Sequence, residues 1–449
     1  MRYTYAQCPC GHIKGIEKDG YRLFKAIYYA TAGRWEAPEE VTAWEDTYDA
    51  TWPGVWCLQR KAFISKPTAT EKFYANENVE KQAILYSEKC QLLNIWTPLV
   101  VENAPVLVYI HGGGYETGGS TAQTFSGASY CREEGVIVVT VNYRLNCFAS
   151  AIGDGLTGNY GLQDQICALS WIQKNIRSFG GNPKRITIMG ESAGAMSVQN
   201  LIYSPMAKGL FQGAIMLSGG GILPRAFRIK GPEAALELWE QVKARLGVAS
   251  MEELKAVSPE KLYCTWRSVY TSDSRFGQPS TPVIDGITIP DAPGRLVAKG
   301  QINAVPTIIS VLSEDMWPHT LYTTALDWGK RMAEGNQPPV YGMYMDRAIP
   351  ESEYGMYHGG DIRYVFGSLD TCWRPFTPVD YRISRDIIAA FAEFARTGVP
   401  SVSKAEPWLP IGNDNQKFMH FGDEDCAMVD VPEVRLLETE GKKKPFPGM

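Results

Sequence analysis

The sequence predicts an α/β fold in which a mostly parallel central sheet carries helices on both faces. Between residues 104 and 222, short apolar runs rich in β-branched residues alternate with segments whose apolar residues recur every three or four positions. Strands that alternate with helices imply parallel pairing and a sheet covered on both faces. The 449 residues contain no repeat and no linker rich in Ser, Gly or Pro, so one large domain over residues 1–449 is expected.

The predicted elements begin with two strands that are too short and too β-branched to be helices. The helix after them places its apolar residues on one face, and the next helix ends at Pro205, because proline cannot continue it. In order, the elements up to residue 218 are strands at 105–110 and 136–141, a helix at 162–179, a strand at 185–189, a helix at 193–203 and a strand at 214–218.

The second half of the chain returns to sheet character after a mainly helical segment, which is expected to form an insertion or cap. The last clear helix is followed by Gly398 and Pro400, which are typical signals for a helix end. Lysines at 442–444 are interpreted as a solvated tail. In order, the later elements are the helical insertion around 224–280, strands at 307–311 and 340–345, and a helix at 381–397.

Composition and charge exclude several classes of protein. Hydrophobic residues make up 45% and charged residues 21% of the chain, as in ordinary globular proteins. With 44 basic against 49 acidic residues and no basic block, nucleic acid is not expected as a partner. No apolar run approaches the roughly 18 residues of a membrane span. The sequence leaves the oligomeric state open.

The N-terminal segment has a single basic residue and no apolar stretch after it, so a cytoplasmic location is expected rather than secretion.

The ten cysteines are too sparse for a disulfide scaffold, and in a reducing compartment they are expected to be thiols. No cluster of Cys or His has the spacing of a metal site. Neither a metal nor a cofactor is therefore predicted.

A GxSxG motif, GESAG at residues 190–194, lies between a predicted strand and a predicted helix. In this position the motif is typical of a nucleophile elbow, whose small residues allow a tight turn that exposes the serine oxygen at the sheet edge. Ser192 is therefore a candidate nucleophile. Taken alone, the motif also fits an ordinary glycine-rich turn.

A second motif, HGGG at residues 111–114, directly follows the strand at 105–110. Its glycines let backbone N–H groups approach a developing oxyanion, together with the N–H of the residue after the nucleophile, which is Ala193. A phosphate-binding loop is the alternative, but neither a Lys-Ser/Thr pair nor a GxGxxG motif accompanies these glycines.

A serine hydroxyl needs a base, and the chain has five histidines. In enzymes with a nucleophile elbow the catalytic residues follow the chain order serine, acid, histidine, which leaves the three histidines after Ser192. His420 lies in a strand-like run and is interpreted as structural, and His319 is a local neighbour of the candidate acids. His358, in a glycine-containing loop, is the best candidate base.

The acid is expected between Ser192 and His358, at the end of a strand. The strand at 307–311 is followed by two neighbouring carboxylates, Glu314 and Asp315, and their spacing does not choose between them. The acid holds the imidazole in the useful tautomer and stabilises the imidazolium that forms during the reaction.

With these motifs, the chain resembles the type B carboxylesterase and cholinesterase family of α/β-hydrolases. The similarity extends over nearly the whole sequence, and its strongest blocks are at 159–165, 179–183, 190–194 and 217–219. The resemblance implies an α/β-hydrolase fold and a serine esterase that needs no cofactor.

The resemblance also implies the three catalytic residues: Ser192 as nucleophile, His358 as base and Asp315 as acid. The family usually has glutamate where this chain has Asp315. The aspartate is shorter by one methylene, so the neighbouring Glu314 remains a competitor.

Further positions of the family's site match five residues. The implied oxyanion donors are Gly113, Gly114 and Ala193. Glu191 matches the acidic residue beside the nucleophile, and Ser218 matches a serine that forms a hydrogen bond near the catalytic histidine.

Two departures from the family bear on substrate and compartment. Cys57 and Cys90 resemble a disulfide pair of secreted relatives, but in the cytosol thiols are expected. The tryptophan that contacts choline in cholinesterases has no match near residues 79–81, so choline esters are not the expected substrate.

The expected activity is hydrolysis of small carboxylic esters through an acyl-enzyme intermediate. Three alternatives remain open: an amidase, a lipase, and a non-catalytic binding protein on the same fold. Trp317, Tyr322 and the helical insertion are candidates for shaping the substrate pocket.

Overall fold

A sheet of thirteen strands organises the part of the chain that the computed structural model describes, residues 2–222, 232–403 and 405–441. Two segments with expectations from the sequence lie outside these ranges: the first part of the insertion, at 224–231, and the lysines at 442–444. The described residues form nineteen strands in all, thirteen in this sheet and six in three separate two-stranded pairs, β4-β5, β7-β8 and β12-β13. In chain order the strands are β1 (Arg2–Cys8), β2 (Gly11–Lys18), β3 (Tyr21–Tyr28), β4 (Ala30–Thr31), β5 (Glu39–Glu40), β6 (Tyr48–Asp49), β7 (Trp56–Cys57), β8 (Tyr86–Ser87), β9 (Leu92–Pro98), β10 (Ala104–Ile110), β11 (Ile137–Val141), β12 (Ile152–Gly153), β13 (Leu156–Thr157), β14 (Gly181–Glu191), β15 (Gly213–Leu217), β16 (Thr307–Leu312), β17 (Val340–Met345), β18 (Phe418–Phe421) and β19 (Cys426–Val429).

The order across the sheet is β1-β2-β3-β9-β11-β10-β14-β15-β16-β17-β18-β19, with β6 beside β2. From β11 to β18 each strand pairs in parallel with the next. The N-terminal strands and β19 extend the two edges by antiparallel pairing. The predicted α/β class with a mostly parallel sheet is therefore confirmed. Because parallel strands share one carboxyl edge, the residues that follow β10, β14 and β16 meet there.

The described residues also form twelve α-helices, several of which pack on the two faces of the sheet. They are, in chain order, α1 (Arg60–Phe63), α2 (Ala69–Glu77), α3 (Tyr160–Asn175), α4 (Ala193–Tyr203), α5 (Glu233–Leu246), α6 (Met251–Lys255), α7 (Pro259–Ser272), α8 (Pro293–Ala298), α9 (Pro318–Glu334), α10 (Ile362–Phe366), α11 (Pro378–Thr397) and α12 (Glu433–Gly441).

Alternate side chains of β10 enter two different hydrophobic clusters. Val106, Val108 and Ile110 pack in a cluster with residues of α3, α4 and α9. Leu107 and Tyr109 pack in a second cluster with residues of α10 and α11. Since successive strand residues point to opposite faces, the two clusters are the two faces of the sheet. Burial on both faces explains why this strand is a continuous apolar run.

The helix boundaries in the structure lie within a few residues of those that the sequence predicts. The helix predicted at 162–179 forms α3, and its last residues turn into a tighter 3₁₀ helix, Ile176–Phe179, before Gly180 at φ 89°. α11 begins three residues before the predicted start, because a capping box between Thr377 and Asp380 fixes its first turn. Gly398, at φ 79°, ends that helix as predicted.

Helices α5, α6 and α7, within the segment predicted as an insertion, have a hydrophobic cluster of their own. It contains Trp239 of α5 and Trp266 of α7, together with Trp35 from the N-terminal part of the chain. The rings of Trp35 and Trp239 meet edge to face, with centroids 5.3 Å apart. These helices are thus fastened to the rest of the molecule by aromatic packing.

All ten cysteines lie in the described ranges and are free thiols, of which eight are buried. Cys167 is partly exposed, and Cys264 on α7 is exposed.

In the described ranges, no helix combines the length and the apolar composition that crossing a bilayer would require.

Candidate active site

Ser192 occupies a sharp turn between β14 and α4. Its backbone has φ 57° and ψ −122°, a strained conformation for a residue with a side chain. The turn needs glycine on both sides. A Cβ atom at Gly190 would lie 2.3 Å from the carbonyl group of Gly194, and one at Gly194 would lie 2.1 Å from the carbonyl oxygen of Ile110. The GxSxG motif therefore forms the geometry of a nucleophile elbow.

The glycine loop after β10 packs directly against this elbow. A Cβ atom at Gly112 would lie 2.6 Å from the carbonyl oxygen of Glu191 and 3.1 Å from the Cβ of Ser192. Gly113 and Gly114 both have positive φ, at 106° and 65°. Their backbone N–H groups have no hydrogen-bond acceptor among the described residues. The loop thus brings bare backbone next to the serine.

The imidazole of His358 lies between the serine and a carboxylate. Its Nε2 is 2.8 Å from Ser192 Oγ, and its Nδ1 is 2.7 Å from Asp315 Oδ1. A carboxylate oxygen accepts hydrogen bonds, so Nδ1 carries a proton, and in the neutral form of the ring Nε2 can accept the serine proton. The side chain of Asp315 is fully buried, and that of His358 is 13% exposed.

The two neighbouring carboxylates after β16 point to different partners. Asp315 reaches the imidazole in spite of its shorter side chain, and its Oδ1 also accepts from the N–H of Met316. Glu314 turns the other way, where its Oε2 accepts from the N–H of Met356 at 3.0 Å. The geometry therefore favours Asp315 as the partner of the histidine.

Three of the other histidines lie in contacts of their own. His420, on β18, pairs with Asp346 at 2.7 Å, and His319, on α9, pairs with Glu433 at 3.0 Å. His111, at the start of the glycine loop, is buried and stacks on Tyr143. Burial lowers the pKa of His111 to about 4, so its ring is neutral.

Three carboxyl groups surround the single imidazole at the base of the site. Burial opposes the charged form of His358, but Asp315, Glu191 and Asp361 outweigh it and raise the pKa of the imidazole to about 9. Glu191 Oε1 lies 3.3 Å from His358 Nε2, and burial raises the pKa of Glu191 to about 7. Together these groups stabilise the imidazolium that forms when the histidine accepts a proton.

Asp361 is a member of this cluster that the sequence did not point out. It is completely buried, and neither of its oxygens has a hydrogen-bond partner among the described residues. Burial raises its pKa to about 8, and the nearby carboxylates of Glu191 and Asp315 add to the shift. In the sequence, the only indication of a role for Asp361 is its position three residues after His358, and this position does not show that the side chain is buried.

Ser218 follows β15 and lines the same cavity as Ser192. Its backbone has φ 52°, and its N–H donates to the hydroxyl of Ser310 at 3.3 Å. Its own hydroxyl oxygen is buried and has no partner among the described residues. The expected hydrogen bond near the histidine is therefore not formed in this structure.

A cavity of about 650 Å³ opens onto Ser192, His358 and the glycine loop. This volume falls within the usual range for sites that bind small molecules. Trp317 lines the cavity, whereas Tyr322 packs against Phe418 of the sheet. Further apolar wall residues are Phe125, Met196, Met316, Leu321 and Ile362.

Across the described ranges, no group of three or more His, Cys, Asp or Glu side chains could hold a metal ion. The chemistry that the arrangement supports is the activation of a hydroxyl by an imidazole, next to backbone donors.

Comparisons with known proteins give one consistent result. A model described as the carboxylesterase family matches residues 3–330 and 318–437. Para-nitrobenzyl esterase of Bacillus subtilis (strain 168) is 29% identical, with 100% of this chain and 99% of that protein covered. Cholinesterase of Mus musculus is 27% identical, with 87% and 77% covered. The solved structure of a thermophylic PNB esterase aligns with a TM-score of 0.83 at 26% identity, over 97% of this chain and 99% of that one.

Proposed function

The chain belongs to the carboxylesterase family and is a carboxylic ester hydrolase, and from this premise we propose that Ser192, His358 and Asp315 carry its reaction. The observation that carries this proposal is the pair of contacts on one imidazole, 2.8 Å to the serine and 2.7 Å to the aspartate. Serine, base and acid in this arrangement have the geometry that nucleophilic acyl transfer requires.

In the first half of the reaction, Ser192 Oγ attacks the ester carbonyl carbon while His358 Nε2 accepts the hydroxyl proton. The carbonyl oxygen becomes an oxyanion in the tetrahedral intermediate. Asp315 holds the imidazole through its Nδ1–H and stabilises the positive charge. The C–O bond to the alcohol then breaks, and the imidazolium gives its proton to the leaving alkoxide.

The oxyanion is stabilised by the backbone N–H groups of Gly113, Gly114 and Ala193. Support comes from the contact of the glycine loop with the elbow and from the unsatisfied N–H groups of the two glycines. Fixed donors of this kind stabilise charge that develops in the transition state, and removing one costs about 10²–10³ in kcat in a known serine hydrolase.

In the second half, water attacks the acyl-enzyme with His358 again as base, and the acid is released with the free serine. Glu191 has a supporting role, because its carboxylate beside Nε2 adds to the stabilisation of the imidazolium. Ser218 is also assigned a supporting place at the wall of the site, where it lines the same cavity as Ser192.

The substrate is a small carboxylic ester that fits a cavity with mostly apolar walls. We place the protein in a reducing compartment such as the cytoplasm, as the ten free thiols support.

The proposal is tested by labelling with a fluorophosphonate, which reacts with an activated serine. We expect one label per chain, on Ser192, and no label in Ser192→Ala. In the same variant, kcat for a short-chain ester should fall by at least about 10⁴-fold, on the scale of serine nucleophiles. Ser401→Ala, which changes an exposed serine far along the chain, is the matched control and should keep wild-type labelling and turnover.

A panel of esters graded in acyl and alcohol size, with matched amides, then defines the activity. Faster turnover of short-chain esters than of long-chain esters or amides supports the esterase. Preference for long acyl chains would indicate a lipase, and equal turnover of amides an amidase. Labelling at another serine, or wild-type turnover by Ser192→Ala, would contradict the assigned nucleophile.

A further inference from the structure

Glu314 connects the loop that carries the acid to the loop that carries the histidine. Its Oε2 accepts from the N–H of Met356, two residues before His358, at 3.0 Å. The hydroxyl of Ser313 donates to the same oxygen. The backbones of Glu314 and Tyr357 also form an isolated parallel bridge. The two loops are therefore joined by both backbone and side-chain contacts.

The histidine loop is shaped to receive this carboxylate. Gly355 has φ 63°, a conformation that favours glycine. A Cβ atom at Gly355 would lie 2.7 Å from Glu314 Oε2. A larger residue at position 355 would push the carboxylate away from the N–H of Met356. The glycine and the glutamate are thus matched across the two loops.

The other oxygen of Glu314 is held from the C-terminal helix. Arg435 on α12 lies 2.9 Å from Glu314 Oε1, and its guanidinium is also 3.8 Å from Asp346 at the end of β17. The side chain of Glu314 is 25% exposed and that of Arg435 is 50% exposed, so the pair is screened by water and adds little stability by itself. Its effect is to fix the direction of the carboxylate.

We propose that Glu314 is a positioning residue for catalysis, which sets the place of His358 by holding the N–H of Met356. The inference rests on the roles proposed for His358 and Asp315. Asp315 fixes the imidazole ring through Nδ1, and Glu314 fixes the backbone from which the same ring projects. Arg435 orients Glu314, and so the C-terminal helix contributes indirectly to the geometry of the site.

The test compares steady-state kinetics of four variants on a short-chain ester. Glu314→Ala removes the acceptor, and kcat should fall about 10- to 100-fold with KM within about twofold, because an ångström-scale misplacement of a catalytic group is costly for rate. Glu314→Gln keeps an oxygen that can accept from Met356, and it should restore kcat to within about threefold of wild type. Arg435→Gln should lower kcat by less than about fivefold, because it loses the ion pair but keeps the hydrogen bond. Glu424→Ala, at an exposed glutamate, is the control and should match wild type.

The variant Asp315→Asn distinguishes a failure of the proposed catalytic roles from a failure of the positioning role of Glu314. If Asp315→Asn keeps wild-type activity, the proposed catalytic roles fail. If it is inactive while folded Glu314→Ala keeps wild-type kcat, the positioning role alone is overturned. Equal loss in Glu314→Ala and Glu314→Gln would also overturn it. Should Glu314→Ala not fold, Glu314→Asp keeps the charge but shortens the reach, and the same fall in kcat is expected from it.

Discussion

The serine and the histidine of the site are held in place by different means. The serine side is built from backbone packing: Gly112, Gly190 and Gly194 each lie where a Cβ atom would be less than 3 Å from a neighbouring backbone atom. The histidine side depends mainly on side-chain contacts, with Asp315 on the ring and Glu314 on the backbone before it, beside one backbone bridge between the two loops. Close packing allows one geometry only, whereas hydrogen bonds between loops can be lost one at a time.

This difference predicts how each side fails. A change in the serine side should damage stability and activity together, because the elbow is part of the sheet core. A change in the histidine side should damage activity while the fold persists, because its loop lies at the sheet edge. Measuring melting temperature and turnover in the same variants therefore separates the two.

Among the variants that compare the two sides, the largest effect is expected from Asp315→Asn on the histidine side. The amide can donate to Nδ1 and so favours the wrong tautomer of the imidazole, which lowers kcat by about 10⁴-fold in a comparable triad. The melting temperature should stay within about 3 °C, because the side chain keeps its size. Glu314→Gln is the matched comparison and should lose far less. A larger loss at Glu314 than at Asp315 would exchange their roles.

The next effect is expected from Gly190→Ala on the serine side. The added methyl group would meet the carbonyl of Gly194, so we expect destabilisation of about 1–3 kcal/mol and a fall in kcat of about 10²-fold. Gly294→Ala on α8 is the control, since no atom lies within 4 Å of its added Cβ and its φ is not positive. This control should be neutral or more stable by roughly 0.5 kcal/mol in thermal unfolding. Wild-type activity in Gly190→Ala would show that the elbow tolerates a wider turn.

The smallest effect concerns pH. His358 must be neutral to accept the serine proton, so kcat/KM should rise with pH through an apparent pKa above the ordinary histidine value of about 6.5. Burial favours the neutral ring, but the surrounding carboxylates outweigh it and raise the pKa to about 9. Glu191→Gln removes one of these charges, so its midpoint should move to lower pH in a profile from pH 5 to 10. If the midpoint of the pH profile instead moves to higher pH in Glu191→Gln, the result would contradict the effect of the Glu191 carboxylate on the pKa of His358.

The serine side was readable from the sequence because its causes are local. GESAG at 190–194 and HGGG at 111–114 carry their own backbone requirements, and each follows a strongly apolar strand. The central parallel strands were predicted for the same reason, since burial on both faces leaves a continuous apolar run. Strands β1 and β2, whose exposed and polar residues give no such run, were not predicted.

The histidine side was only partly readable. Chain order selected His358, but Glu314 and Asp315 are adjacent, and the choice between them depends on contacts with residues that lie 42 and 43 positions further along the chain. Asp361 could not be assigned to the cluster, because burial of a carboxyl group is a property of the packed structure. The folded structure distinguishes Glu314 from Asp315 by their different contacts, which their adjacent places in the sequence do not reveal.

Cys264 on α7 gives the molecule a convenient point for chemical attachment. It is the one exposed thiol of ten, and it projects from the helices around Trp266 rather than from the sheet. A maleimide dye or a nitroxide should therefore modify a native sample there first. The emission or linewidth of that reporter would follow movements of α7 in real time, without any engineered residue.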